Sequence, residues 1–388
     1  MRLVRDATRV DVGSGRGAPG ATGEAAGTAG RAGGRSGGSP PAFVPALRAA
    51  IAAASLAATL GFPSAATADC PGLPPAGPDT VRVGFFSNSL PMLAAQAKGF
   101  FADENLTVAT FQVSSSVQMF QCIRDGQLDV ALSSPDNPLN YRMNSTSAIG
   151  APLDVQMLLG TDLGLDLSLV AQAQDTTIAS LAGKNIGVDS PTSGYAFVLY
   201  QILAANGLPP GSYNVVVVGG TPLRYQALLA GTIDATLLNS DSYLRAVDAG
   251  MNALAPVSTV AAPYLGGVAS ARESWLGANT DLAVRFVRAY VRGQQWSLDP
   301  ANQADAIALL ETLPNTSAAL AQQIYAMLFD PTGLIPDAAF SRDGLASVIA
   351  LRAKWNGFQQ PDIGTEVTRA SGLYDLSYRA TALCKLKE

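Results

Sequence analysis

The residues of this chain with the most chemical reach are small and polar. They come in clusters, each following a short apolar run and preceding an amphipathic one. The clusters are Ser87-Asn88-Ser89 after "VGFF", Ser114-Ser115-Ser116 after "ATFQV", and Ser133-Ser134-Pro135-Asp136-Asn137 after "VAL". Further along come Asp189 to Tyr195 after "NIGV", Gly219-Gly220-Thr221 after "VVVV", and Asn239-Ser240-Asp241 after "ATLL". A polar loop that opens a helix presents unpaired backbone N–H groups, hydroxyl donors and the positive end of the helix dipole, enough to hold an oxyanion without a formal cation. The expected ligand contacts are Ser87, Asn88, Ser89, Ser115, Ser116, Ser134, Asp136, Asp189, Ser190, Thr192, Ser193, Gly194, Tyr195, Gly220, Thr221, Asn239 and Asp241. Phe85, Phe86, Tyr195 and Tyr243 would supply apolar walls. The plainer alternative for any one Ser or Thr is that it only caps its helix.

Three of these residues complicate an anion site. Asp136, Asp189 and Asp241 all end strand-like runs, and three carboxylates repel an anion unless they point away or pair with Arg82, Arg142, Arg224 or Arg245. They favour, slightly, a ligand with cationic or donor character. Asp129 and Asp234 read as structural. The chain has no histidine at all, which removes Ser-His-Asp and Cys-His catalysis and almost every histidine-containing metal site. "SPTSG" is not the G-x-S-x-G of a nucleophile elbow. The expectation is a binding protein with no catalytic residue, cofactor or metal.

The elements that would position these loops repeat. Residues 116–136 ("SVQMFQCIRDGQLDVALSSPD") and 221–241 ("TPLRYQALLAGTIDATLLNSD") align without a gap: Phe120 meets Tyr225, Gly126 meets Gly231, Asp129 meets Asp234 and Asp136 meets Asp241. Each copy reads as an N-cap (Ser116, Thr221), a helix, a glycine just past its end and a buried strand. Upstream, 81–101 and 184–207 both read as strand, polar turn and helix. The pattern βαβαβ therefore occurs twice. It predicts an α/β fold of two lobes, each a mainly parallel sheet with flanking helices, plus a C-terminal helical tail. A tail that returns to the first lobe gives lobe one as 80–172 plus 265–388 and lobe two as 174–264. Ligands in such sheets bind beyond the carboxyl ends of the strands, where all the polar clusters fall.

These stretches resemble the type II periplasmic substrate-binding proteins of ABC importers, in the nitrate/sulfonate/taurine and thiamine-precursor branch. "VRVGFFSNSLPMLAAQAKGFFADENLTV", "GQLDVALSSPDN", "LAGKNIGVDSPTSGYAF" and "LLAGTIDATLL" carry the resemblance over about residues 80–300. It implies two lobes closing on a small ligand, which is then delivered to an ABC permease and ATPase complex. A sensor or adaptor of the same fold is the alternative, and a bilobed enzyme related to chorismate dehydratase a more distant one. The pyrimidine synthases that resemble this family need a histidine and a cysteine-rich motif, and this chain has neither.

The ends point to export. Residues 1–45 form a glycine-rich, low-complexity stretch without apolar periodicity, expected to be disordered. Residues 46–68 read as a signal peptide, with Arg48, an apolar run over 49–62 and cleavage near Ala68. Asp69 before Cys70 argues against lipidation. The remaining chain holds 18 basic and 27 acidic residues, which disfavours nucleic acid and anionic membrane surfaces as partners. A soluble periplasmic or extracellular monomer is expected. An oxidising compartment favours a Cys70–Cys384 disulfide tying the ends together, with Cys122 a small buried hydrophobe.

Overall fold

The computed structural model describes residues 69–145, 147–359 and 372–387, so the low-complexity stretch and the signal peptide lie outside the described residues. The described chain falls within one compact unit, Phe62–Glu388.

In the first half, alternating apolar residues make β1 (Thr80–Phe85), whose four central residues are buried. It is followed by α1 (Leu90–Ala97), the short α2 (Phe100–Asp103), β2 (Thr107–Gln112), α3 (Ser116–Arg124), β3 (Val130–Ser133), α4 (Asp136–Met143) and β4 (Val155–Asp162). Beyond the first crossover come β5 (Ser168–Ala171), β6 (Asn185–Val188), α5 (Gly194–Ala205), β7 (Asn214–Val217), α6 (Thr221–Leu229), β8 (Ala235–Leu238), α7 (Ser240–Asp248) and β9 (Asn252–Pro256). A second crossover leads back to β10 (Gly267–Arg272). The tail follows as α8 (Glu273–Ala278), α9 (Thr280–Leu298), α10 (Gln303–Glu311), α11 (Ala318–Met327), α12 (Arg342–Lys354) and α13 (Ser377–Lys385).

The strands form two five-stranded sheets, ordered β2-β1-β3-β10-β4 and β7-β6-β8-β5-β9. In each, the strand that arrives directly from a crossover is inserted antiparallel between its neighbours: β10 between β3 and β4, and β5 between β8 and β9. β5 thus belongs to the second sheet, and the boundary expected after residue 172 is corrected to the crossover between β4 and β5. The tail is also less one-sided than the lobe-one assignment of 265–388 supposes. Val348 and Leu351 of α12 join the apolar core of the second sheet, while Leu345 and Ile349 pack with Leu139 and Met157 of the first. α12 is therefore a wedge between the lobes.

The repeat has a structural cause. Gly126 and Gly231 take left-handed backbone angles, φ 67° and 68°, that end α3 and α6 and turn the chain into the next strand. Asp129 accepts the backbone N–H of Arg82 in β1 at 2.8 Å, and Asp234 accepts that of Asn185 in β6 at 2.8 Å. Each aspartate thus ties an incoming strand to the central one. The caps sit one residue before their expected positions, on Ser115, which accepts from Gln118 N, and on Gly220. α9, the longest helix, buries Phe286, Val287 and Tyr290 against β1 and α1, each worth about 1.5–3 kcal/mol of apolar transfer.

The disulfide joins Cys70 to Cys122, not to Cys384, which is free and exposed. Cys122 is on the buried face of α3, and Cys70, 4% exposed, is held there by a bond from its N–H to Gln127 Oε1 at 3.2 Å.

Candidate functional site

At the carboxyl ends of the parallel strands the two lobes enclose a cavity of about 150 Å³. The first lobe supplies Phe86, Ser87, Asn88 and Ser89 after β1, and Leu132, Ser133, Ser134 and Asn137 around the β3 end. The second supplies Asp189, Ser193, Gly194 and Tyr195 after β6, Gly220, Thr221 and Arg224 after β7, and Asn239 and Ser240 after β8. The end of β4 adds Thr161 and Asp162, the start of β10 Gly267 and Val268, and the crossovers and tail Leu165, Gly266, Tyr290 and Leu334.

Eleven of the expected contacts therefore line one cavity: Ser87, Asn88, Ser89, Ser134, Asp189, Ser193, Gly194, Tyr195, Gly220, Thr221 and Asn239. The other six have different employment, as do two of the expected walls. Ser115 caps α3. Ser116, buried, donates to Asp189 Oδ2 at 2.6 Å across the lobes and accepts from Tyr141 Oη at 3.3 Å. Asp136 is taken by Arg352 of α12, in a bidentate pair at 2.7 and 2.9 Å. Asp241 pairs with Arg245 on the next turn. Ser190 and Thr192 stand beside each other in the loop, their hydroxyls 3.4 Å apart, and Thr192 O accepts from Arg352. Of the walls, Phe86 and Tyr195 line the cavity, Phe85 a small adjoining recess, and Tyr243 packs on the second lobe's core.

The charges that remain are few. Arg82 is spent on Asp129 and Arg142 on Glu273, so neither relieves the cavity's carboxylates. Arg224 is 2% exposed and binds only neutral acceptors: Thr236 Oγ1 at 3.0 Å, Gly219 O at 2.7 Å, Thr221 Oγ1 at 3.0 Å and Leu237 O at 3.2 Å. Burial pulls its pKa down, opposed by the charge of Asp189. A guanidinium has five N–H donors, so one is left over. Asp189 keeps Oδ1 buried without a partner.

Asp162, which sequence reasoning missed, ends β4 where the chain crosses between lobes. Its carboxylate accepts from Thr161 Oγ1 at 2.6 Å and from Gly164 N at 2.9 Å, and burial pushes its pKa up. Gly266 exists for this approach, since a Cβ there would stand 2.2 Å from Asp162 Oδ1. The available signal was an aspartate closing an eight-residue apolar strand, the same placement that marked Asp136 and Asp189.

Several bonds hold the lobes together around the cavity. Besides Ser116 to Asp189, Gly220 N donates to Ser114 O at 2.8 Å, and Arg352 joins Asp136 of the first lobe to Thr192 O of the second. Among the described residues there is no group of three or more His, Cys, Asp or Glu placed to hold a metal, and no helix long and apolar enough to cross a membrane.

Residues 87–304 match the model of the family described as NMT1/THI5 like. Over 266 residues the chain is 28% identical to the nitrate import ATP-binding protein NrtC of Synechococcus elongatus; the match covers 65% of this chain but spans only 40% of that relative. Among solved structures, the periplasmic nitrate-binding protein NrtA of Synechocystis superposes with a TM-score of 0.67 at 14% identity, over 80% of this chain and 89% of the other. The alkanesulfonate-binding protein SsuA of Xanthomonas axonopodis gives 0.60 at 18%, over 74% and 96%. The desulfurization enzyme DSZB gives 0.55 at 15%, over 79% and 99%, so the fold is not confined to binding proteins. At these identities the structural likeness speaks for the fold alone.

Proposed function

The chain belongs to the NMT1/THI5-like family, and on that premise we propose that it is an extracytoplasmic solute-binding protein. In this reading it captures one small molecule between its lobes and delivers it to an ABC import permease. The observation that carries the reading is the cavity at the strand ends, lined by polar side chains of both lobes and bridged by inter-lobe hydrogen bonds. An enzyme is disfavoured because the cavity's serines have neither a histidine in the chain nor a lysine in the lining to act as base. A sensor that reports the same ligand to a membrane partner is the second reading, and co-purification with a permease separates the two.

Small-angle scattering tests the capture step. Saturation with a ligand found by a thermal-shift screen should shrink the radius of gyration, and at 100-fold excess over Kd it should stabilise the fold by about 2.7 kcal/mol. An unchanged radius under saturation would count against closure.

Ser116 gives a second test. Its hydroxyl reaches a carboxylate of the opposite lobe, a charged hydrogen bond worth roughly 1.5–3 kcal/mol. Ser116→Ala should weaken that same ligand roughly tenfold to a hundredfold. A variant that loses stability but not affinity would make Ser116 a packing residue of lobe one.

A further inference from the structure

The outer face of the second lobe is nearly free of charge. Residues 190–233, which include α5, β7 and α6, contain a single charged residue, Arg224, and it is buried. Among the described residues six large apolar side chains are exposed, and four of them fall in this stretch: Val215 and Val217 of β7, and Leu223 and Leu229 of α6. The fold does not require this, because the internal repeat places polar residues at the same positions of the first lobe. Gly84 of β1 pairs with Phe111 of β2 as Gly187 of β6 pairs with Val216 of β7, so Val215 corresponds to Thr110 and Val217 to Gln112. The gapless alignment of the following helices sets Leu223 against Gln118 and Leu229 against Arg124. Three of these counterparts are engaged: Gln112 donates to Phe86 O, Gln118 donates to Asp69 O, and Arg124 pairs with Asp125. In the second lobe bare aliphatic groups stand instead.

β7 is also an open sheet edge, paired with β6 alone. Asn214 N and Val218 N donate toward β6, to Lys184 O and Val188 O, so strand alternation turns the N–H and C=O groups of Val215 and Val217 outward. Exposed edges are ordinarily blunted by a charge, a proline, a bulge or a covering element. β7 has no charge, proline or bulge, and Val217 is 62% exposed. The chain carries a net charge of −5, so most faces of two copies repel, whereas this face sets no charge against its own image. We propose that it joins two copies of the chain about a twofold axis at Val216, in place of the monomer expected from the sequence. Antiparallel pairing about that axis sets Val215 of each copy opposite Val217 of the other, and each such pair exchanges both of its N–H···O bonds. Val216, which packs toward α6, meets its own copy at the axis, and the exposed valines meet on the opposite face of the joined sheets. The inference is independent of what the cavity holds.

The test is sedimentation velocity of the whole protein over a concentration series, with no ligand added. The wild-type protein should sediment at twice the chain mass and dissociate on dilution. Val217→Lys puts a charge on the edge and should raise the dimer dissociation constant about a hundredfold or more. Phe329→Lys, at an exposed apolar position beyond α11, should leave it within about twofold. A second readout uses a different residue. In a Cys384→Ser background, Val216→Cys should crosslink two copies under oxidised glutathione, because the Cα atoms of such a pair stand about 4.5 Å apart, within disulfide reach. Phe329→Cys in the same background should not. Should one variant fail to fold, the other decides. A monomer at every concentration overturns the proposal, as does a dimer that survives Val217→Lys and gives no Val216→Cys crosslink. A monomer that instead binds a permease or a lipid vesicle, and loses that binding in Val217→Lys, overturns it too and assigns the face to that partner.

Discussion

Arg352→Ala should lower the free energy of unfolding by about 3–5 kcal/mol, the cost typical of breaking a buried ion pair from one side. Arg352 is 0% exposed and Asp136 1%. The guanidinium makes both bonds to the carboxylate and two more, to Thr192 O and Gly357 O, and it stacks near Phe197 at 5.1 Å. Truncation strands a carboxylate where water has little room, since even a Cβ on Gly194 would come within 2.4 Å of Asp136 Cβ. Geometry alone is not the reason. Lys98 and Asp305 approach to 2.8 Å, as closely as this pair, but at 34% and 66% side-chain exposure. Lys98→Ala should cost less than about 1 kcal/mol. Urea unfolding of both variants, with Asp136→Ala/Arg352→Ala to recover part of the loss, checks the claim. Equal effects for Arg352 and Lys98 would refute the role of burial.

That pair also marks how far the sequence can be read. Two sheets are legible because the repeat doubles a βαβαβ pattern, and the roles of Asp129 and Asp234 are legible because they occupy one position in both copies. The polar strand ends are equally visible, which is why eleven of the expected contacts share one cavity. What sequence does not supply is pairing at long range. β5 is four buried residues that suit either sheet, and only its partners β8 and β9 decide. Asp136 looks free for ligand because Arg352 lies 216 residues away on a helix with no mark of burial. Arg224 stands among the candidate partners for carboxylates, but side-chain and backbone oxygens of its own lobe hold it instead. Asp162 is hidden because an apolar strand draws attention to its apolar residues.

The cysteines show the same gap, and they carry the other large effect. Spacing allows three pairings, and joining the two ends of the chain beyond residue 68 looks economical. Packing decides otherwise. Cys122 is fully buried on the inner face of α3, and Cys70 is buried against the same core, with Cα atoms 6.3 Å apart, inside the range a disulfide spans. Cys384 is exposed on α13. The bridge joins residues 52 apart in sequence, and the chain entropy removed by closing such a loop is worth about 4 kcal/mol. Cys70→Ala/Cys122→Ala should therefore lose about that much unfolding free energy, and reduction of the wild-type protein should match it. Cys384→Ser should stay within about 0.5 kcal/mol of wild type. Alkylation without reductant should label one cysteine, Cys384. If Cys384→Ser instead proves as damaging as the double variant, the terminus-to-terminus bridge is restored and the packing argument for α3 fails with it.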